Sequence, residues 1–432
     1  MDHKVLQMQQ YLDVHPVLGR GDRLRVKYVE LLGYFLGKYG VGDLRVKQLA
    51  SLYAGKITGL DAEVGFRGKE LNQQEQFQFF KYRFFILTDS LFILAFDDRE
   101  KGGRICEDVI SFCGDRNRKK LEMMRDAFYS EGVDSFSEEF GELRKVYEVV
   151  WANRRFLKKP LRRIMITANM SAGKSTLLNA LAGKKVHKTL NLSCTAKIHY
   201  MYNKPGYDGM VGKIDGYLDL DASLDRLMTD NGLNDTPEIA VGTGFRTPGE
   251  YGGRLCFIDT PGVNSSMDAE HQRISADAIK SVSCDLLMYL FNGENIGSDD
   301  DKIHLEFVRE KYGGRIIFLV NRLDKYKEGD KDSIRETLAE IDKDLRRMGF
   351  DNPAVYPLSA YAAYLAKMSM YGEELSEDEQ GEIARLRRRL RKDDFSFERY
   401  YPVKVGADFE DKSIGELLLH SGVLSLERLL YQ

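Results

Sequence analysis

Residues 168–175 read Ala168-Asn169-Met170-Ser171-Ala172-Gly173-Lys174-Ser175, and their setting decides the fold around them. A short apolar run with a basic lead-in, Ile164-Met165-Ile166-Thr167, precedes them, and a helix-like run from Ser175 to Ala182 follows. This is strand, loop, helix. The loop fits G-x-x-x-x-G-K-[ST], except that Ala168 replaces the first glycine. In that pattern successive backbone N–H groups wrap the α- and β-phosphates of a nucleotide at the positive end of the following helix. Lys174 can then reach the β- and γ-phosphates, and the Ser175 hydroxyl can bind Mg²⁺. Alanine needs more room than glycine but is compatible with a strand end.

Downstream, the same alternation recurs. Leu255 to Ile258, Leu286 to Phe291, Ile316 to Val320 and Val355 to Leu358 are short apolar strands separated by helical segments. Alternating strands and helices predict a mostly parallel sheet covered by helices on both faces. Upstream the texture differs. Val26, Val29, Leu32, Phe35 and Leu36 form a helical stripe, Gly40 closes it, and Val46 to Tyr53 begins another helix. Phe79 to Phe96 reads as a fully buried helix or two. The expected organisation is an all-α helical bundle domain over 1–155, followed by an α/β nucleotide-binding domain over 156–432.

Three further motifs fall at strand ends. Asp259-Thr260-Pro261-Gly262 stands 85 residues beyond Lys174. A carboxylate there can hold Mg²⁺ through water, and the Gly262 N–H can meet a γ-phosphate. In Asn321-Arg322-Leu323-Asp324, the Asp324 carboxylate can accept from guanine N1–H and the 2-amino group, a donor pair that adenine lacks. The Arg322 stem can pack on the base, and Asn321 can brace this loop to the phosphate loop. In Ser359-Ala360 the alanine N–H can meet guanine O6. Asn169 to Thr176, Gly262, Asn321, Arg322, Asp324, Ser359 and Ala360 are therefore the expected nucleotide contacts, with GTP or GDP as ligand.

These motifs, in this order, resemble the guanine-nucleotide domain of the translation-factor-related GTPases. Met170 to Thr176, Leu192-Ser193-Cys194-Thr195-Ala196-Lys197-Ile198-His199-Tyr200 and Ser421 to Leu430 are similar to the bacterial dynamin-like proteins. That resemblance makes Thr195 the switch threonine and a third Mg²⁺ contact beside Ser175 and Asp259. It gives Ser171 a place beside a charge-compensating K⁺ or Na⁺, and it names Lys174, Ser171 and Thr195 as the catalytic set. It further implies a nucleotide-dependent homodimer that activates hydrolysis. Two departures stand out. Met170 occupies the place of the family's water-orienting glutamine, and Val263 after Gly262 supplies none either. Moreover, the helices precede the nucleotide domain, where dynamins place a stalk after it, so membrane remodelling by this chain alone is not expected. A different class of reading is a slowly hydrolysing, GTP-gated module that grips a protein partner through its helical domain. An ATPase is disfavoured by Asp324.

Composition narrows the field. In 432 residues the net charge is −3, so no overall basic field argues for nucleic acid. The apolar stretch Phe84 to Phe96 is broken by Thr88, Asp89 and Ser90 and is shorter than the ~20 residues a membrane span needs. Met1-Asp2-His3-Lys4 opens no signal-peptide core, and five cysteines without a CxxC pair suit buried thiols in the cytoplasm. Arg385 to Lys392 is a basic helical run. It can meet an anionic membrane peripherally or an acidic partner, but reads first as a solvated face paired with nearby acids. His199 reads as a surface strand residue.

Overall fold

The computed structural model describes residues 2–40, 42–59, 70–132, 138–169, 171–186, 197–206, 209–214, 217–231, 238–248, 253–261, 269–326, 333–406 and 409–432. The chain forms two compact units, Met1–Lys159 and Pro160–Gln432, with the short run Leu218–Asp221 grouped with the first.

The first unit is helical: α1 (His3–Asp13), α2 (Asp22–Gly40), α3 (Leu44–Thr58), α4 (Gln73–Leu94), α5 (Arg99–Cys113), α6 (Arg118–Phe128) and α7 (Arg144–Lys158). Helix α4 starts at a reciprocal cap between Asn72 and Glu75, which satisfies two orphan N–H groups. Its second half, Ile86 to Leu94, is buried on every side, as an all-apolar helix requires. Its first half is not, since Phe80 is 40% exposed and Phe77 72%. The fully buried helix expected from Phe79 onward is therefore buried only in part, because α4 is covered all round only over its C-terminal turns.

Asp89 is the charge at the centre of this apolar helix. The Tyr11 hydroxyl donates to its Oδ1 at 2.5 Å. Tyr28 and Tyr53 donate to Oδ2, and His15 Nε2 stands 3.3 Å from Oδ1. His15 Nδ1 accepts the Val17 N–H at 3.2 Å, which leaves the ring proton on Nε2, facing the carboxylate. Donors from α1, α2, α3 and the turn after α1 thus converge on one carboxylate of α4. A lone buried carboxylate would be expensive; this one is solvated by protein.

The second unit runs β1 (Leu161–Ala168), α8 (Lys174–Ala182), β2 (Ile198–Asn203), β3 (Val211–Ile214), α9 (Leu224–Asn231), β4 (Glu238–Thr243), β5 (Arg254–Asp259), α10 (Ala269–Ser281), β6 (Leu286–Asn292), α11 (Asp299–Lys311), β7 (Ile316–Asn321), α12 (Ile334–Arg347), β8 (Ala354–Leu358), α13 (Ala360–Met370), α14 (Glu377–Leu390), α15 (Lys412–His420) and α16 (Val423–Tyr431). Within it the sheet order is β3-β4-β2-β5-β1-β6-β7-β8. Strands β5, β1, β6, β7 and β8 are mutually parallel. Strand β2 turns antiparallel to β5, in register His199 to Asp259. The central strands are buried along their length: β6 reads Leu-Leu-Met-Tyr-Leu-Phe-Asn with only the last residue part-exposed. His199 is 4% exposed, not a surface residue, because β2 is an interior strand flanked by β4 and β5.

Candidate functional site

The C-terminal ends of parallel strands are where α/β sheets bind ligands, and the motif residues gather there. Ala168 closes β1, fully buried beside Leu290 of β6. The backbone then makes two left-handed turns, Ser171 at φ 61° and Gly173 at φ 95°. Gly173 cannot be replaced: a Cβ there would lie 2.3 Å from Asn321 Nδ2. It is the N-cap of α8, whose first residue is Lys174, with Ser175 and Thr176 following in the first turn. The first-turn N–H groups of α8 have no helical partners, so this end is electropositive and suited to phosphate. Ser171 is exposed and Ala172 buried.

Lys174 Nζ reaches Asp259 Oδ1 at 2.9 Å across β1 and β5, both side chains being nearly buried. The carboxylate closing β5 and the lysine opening α8 are thus within one ion's reach of each other. The turn after β5 is tied to β1, since the Thr260 hydroxyl donates to the Ile166 carbonyl at 3.1 Å.

Asn321 joins the two halves of the site. Its Nδ2 donates to the Ala172 carbonyl at 2.8 Å, and its Oδ1 accepts the Ala360 N–H at 3.0 Å. One amide therefore holds the phosphate loop, the end of β7 and the turn after β8 together. Asp324 is 5% exposed, and burial pushes its carboxyl up, with Ser359 beside it acting in the opposite sense. Ser359 caps α13 by accepting the Ala362 N–H at 3.3 Å. Arg322 takes a left-handed backbone, φ 69°, and donates to Glu294 Oε2 at 2.8 Å.

Asn169, Ser171, Ala172, Gly173, Lys174, Ser175, Thr176, Asp259, Asn321, Arg322, Asp324, Ser359 and Ala360 all lie on β1, β5, β7 and β8 or the loops and helix starts after them. Met170, Thr195 and Gly262 fall outside the described residues.

Two supports were not read from the sequence. Behind the phosphate loop, Asn169 Nδ2 donates to Asp301 Oδ1 at 2.5 Å, and the Tyr289 hydroxyl donates to the same oxygen at 3.3 Å. Burial raises the Asp301 carboxyl, and burial lowers nearby His304, 2.8 Å from the Thr167 hydroxyl, to about 4. Beside the Asp324 loop, Glu294 pairs with both Arg322 and Lys325, the latter at 3.1 Å. Its carboxyl is held low, chiefly by the Arg322 hydrogen bond. Gly293 and Asn321 are also linked, N–H to carbonyl, at 2.8 Å. Asp301 was hidden in an acidic helix start, and Glu294 in a loop with no motif.

Asp259 and Ser175 are a carboxylate and a hydroxyl of the kind Mg²⁺ takes, and the cation Lys174 now engages Asp259, so the residues suit a divalent ion. Among the described residues no cluster of three His, Cys, Asp or Glu forms a metal site, and no described helix is long and apolar enough to cross a membrane.

Phosphate loop, strand-end carboxylate and a buried aspartate at the end of a parallel strand, on a mostly parallel sheet, together define a P-loop GTPase domain. Comparison agrees. The family described as 50S ribosome-binding GTPase matches residues 163–322. Dynamin-like protein A of Bacillus subtilis (strain 168) is 24% identical over 275 residues, 62% of this chain and 22% of that protein. A probable transmembrane GTPase, FZO-like and chloroplastic, of Arabidopsis thaliana is 22% identical over 48% of this chain and 20% of its own length. The chain carries a P-loop GTPase domain that is similar to these dynamin-like and FZO-like proteins, and spans about a fifth of the length of these curated relatives. Among solved structures, Aquifex aeolicus Era bound to GDP·AlF₄⁻ is 18% identical, with 50% of this chain and 58% of that one covered and a TM-score of 0.29. The G domain of the T. maritima FeoB iron transporter is 15% identical over 52% of this chain and 98% of that one, with a TM-score of 0.27.

Proposed function

We propose that this chain hydrolyses GTP to GDP and phosphate with Mg²⁺, and that two GTPase domains pair across the nucleotide to do so. The observation that carries the reading is the Asn321 side chain. It links the phosphate loop to the turn at Ala360, with buried Asp324 three residues on. Phosphate and base recognition are therefore one rigid unit, which is what positioning catalysis needs. Asp324 takes guanine N1–H and the 2-amino group, the Ala360 N–H takes O6, and Arg322, tied to Glu294, covers the base. Lys174 moves from Asp259 to the β- and γ-phosphates. Ser175, Thr195 and Asp259 would hold Mg²⁺, and the ion would supply charge neutralisation along the phosphates. The water oxygen attacks the γ-phosphorus as the bond to the bridging oxygen breaks, and the chain's contribution is to place and neutralise. Thr195 would orient the water, and Ser171 would help hold a monovalent cation. Gly262 offers its N–H to the γ-phosphate.

A second reading keeps the same site but makes it a slowly hydrolysing switch that gates a partner. Met170 and Val263 favour it, since neither can hold water. Multiple-turnover phosphate release, with and without potassium, separates the two. Potassium-stimulated turnover supports the enzyme. A single slow turnover with tight GTP binding supports the switch. Equal binding of ATP and GTP overturns both.

A further inference from the structure

Among the described residues, the first unit presents an aromatic face whose cations, Lys81, Arg83 and Lys120, no acid pairs. Phe77, Phe80 and Phe84 stand at i, i+3 and i+7 on α4, one ridge about 10 Å long. Phe77 is 72% exposed and Phe80 40%, and Phe112 at the end of α5 is 36% exposed. Phe112 packs against buried Phe79, with ring centroids 4.4 Å apart and the planes tilted by 49°.

Cations lie in this ridge, not above it. The Arg83 guanidinium sits 4.2 Å from the Phe80 ring and 4.3 Å from Phe84, and Lys120 Nζ is 4.8 Å from Phe84. Among the described residues none of Lys81, Arg83 and Lys120 makes an ion pair. Several other cations of the unit are paired. Arg118 pairs with Glu107, Asp115 and Glu122, Lys27 with Glu30 and Glu75, Lys38 with Asp108, and Arg20 with Glu142.

We propose that this face is the docking site for an acidic amphipathic helix of another protein, its carboxylates meeting Lys81, Arg83 and Lys120 and its apolar side covering Phe77, Phe80 and Phe112. Charge decides the occupant. A second copy would bring the same cations and be repelled. An extended peptide would need a free sheet edge, and the described residues 3–158 of this unit form helices and turns only. A lipid surface suits cations that reach outward past an apolar body; here Arg83 and Lys120 lie against the rings, where carboxylates inserted between the ridges can reach them. A two-turn helix matches the length of the ridge. The inference is independent of the nucleotide reading.

The test uses the whole chain and a phage-displayed library of random 16-residue peptides, selected on the wild type and counter-selected on the Phe77→Ala/Phe80→Ala variant. Enriched sequences should be net acidic with apolar residues at i and i+3 or i+4. The best peptide, synthesised, should bind at least ~10-fold more weakly to Phe77→Ala/Phe80→Ala and to Arg83→Gln/Lys120→Gln, as hot-spot residues do. The second pair should also flatten the salt dependence. Unchanged circular dichroism melts of these surface variants make the loss one of contact. Neutral or basic winners, or no enrichment over the double variant, overturn the proposal. So does binding to phosphatidylglycerol vesicles that the same variants abolish while no peptide is selected.

Discussion

Asp324 must be ionised to accept two guanine donors at once, yet burial raises its carboxyl. Guanine affinity should therefore weaken on acidification well before an exposed aspartate would protonate, while the purine-independent phosphate contacts persist. Isothermal titration of GDP from pH 8 down to pH 5 reads this, and a pH-independent affinity would contradict it. GTP should bind at least ~100-fold tighter than ATP, and Asp324→Asn should relax that preference, because the amide no longer offers two acceptors. Glu294 pairs with Arg322 and Lys325, at 2.8 and 3.1 Å, and acts on the base if Arg322 covers it as proposed. Glu294→Ala should speed GDP release about 5- to 10-fold, about 1 kcal/mol of binding, with the melting temperature unchanged and Glu294→Asp restoring part of the loss. Lys174→Ala should abolish turnover while the helical unit stays folded; full turnover in that variant would remove the phosphate-loop assignment.

At the level of elements, α4 and the strand ends teach different lessons. Asp89 joins α1, α2, α3 and α4 by hydrogen bonds and the His15 contact, so the hub is a tertiary feature of the bundle. Burial alone would raise its carboxyl, but His15 and the tyrosines hold it below the ordinary 3.8. A depressed carboxyl lends stability that is complete above the unfolded-state value and drains as pH falls through the folded one. The helical unit should thus lose stability below about pH 4, and Asp89→Asn should remove that dependence along with about 3 kcal/mol, since an amide cannot accept from all four neighbours. Urea melts at pH 7 and pH 3 check both; equal pH slopes in variant and wild type would dismiss the hub. None of this was legible in the sequence, where Asp89 merely interrupts an apolar run, because its donors lie 36 to 78 residues away. The strand ends were legible, because a phosphate loop is a local device: strand, glycine turn and lysine are contiguous, so Lys174 could be read in one pass. Asn321 was legible as a brace to the phosphate loop, but not its second bond to Ala360. The antiparallel turn of β2 was missed, and His199 with it, since apolar runs carry no record of direction. Glu294 and Asp301 were missed because a loop acid and a helix-start acid look like solvated charge until the partner loops are in place.

For the molecule as a whole, the open question is how water is held when Met170 and Val263 stand where side chains of other GTPases would orient it. Lys174 pairs with Asp259, and Ser171 is exposed at the lip of the phosphate loop. An exposed serine there is available to a second copy facing the same nucleotide, and closing a second domain over it would exclude water and strengthen every local charge interaction. If pairing completes the site, turnover per molecule must rise with protein concentration and saturate as dimers fill. GDP with aluminium fluoride should shift the chain to a dimer in gel filtration, where GDP alone does not. Thr195→Ala should lower kcat by ~10²-fold or more, the scale of a lost transition-state contact, with GTP affinity nearly kept, and Ser171→Ala should blunt the response to potassium. These outcomes are linked: a variant that loses potassium stimulation should also lose the fluoride-driven dimer, because the ion and the second domain close the same lip. A strict monomer with concentration-independent turnover would break that link and leave the GTP-gated, partner-gripping switch as the reading of this chain.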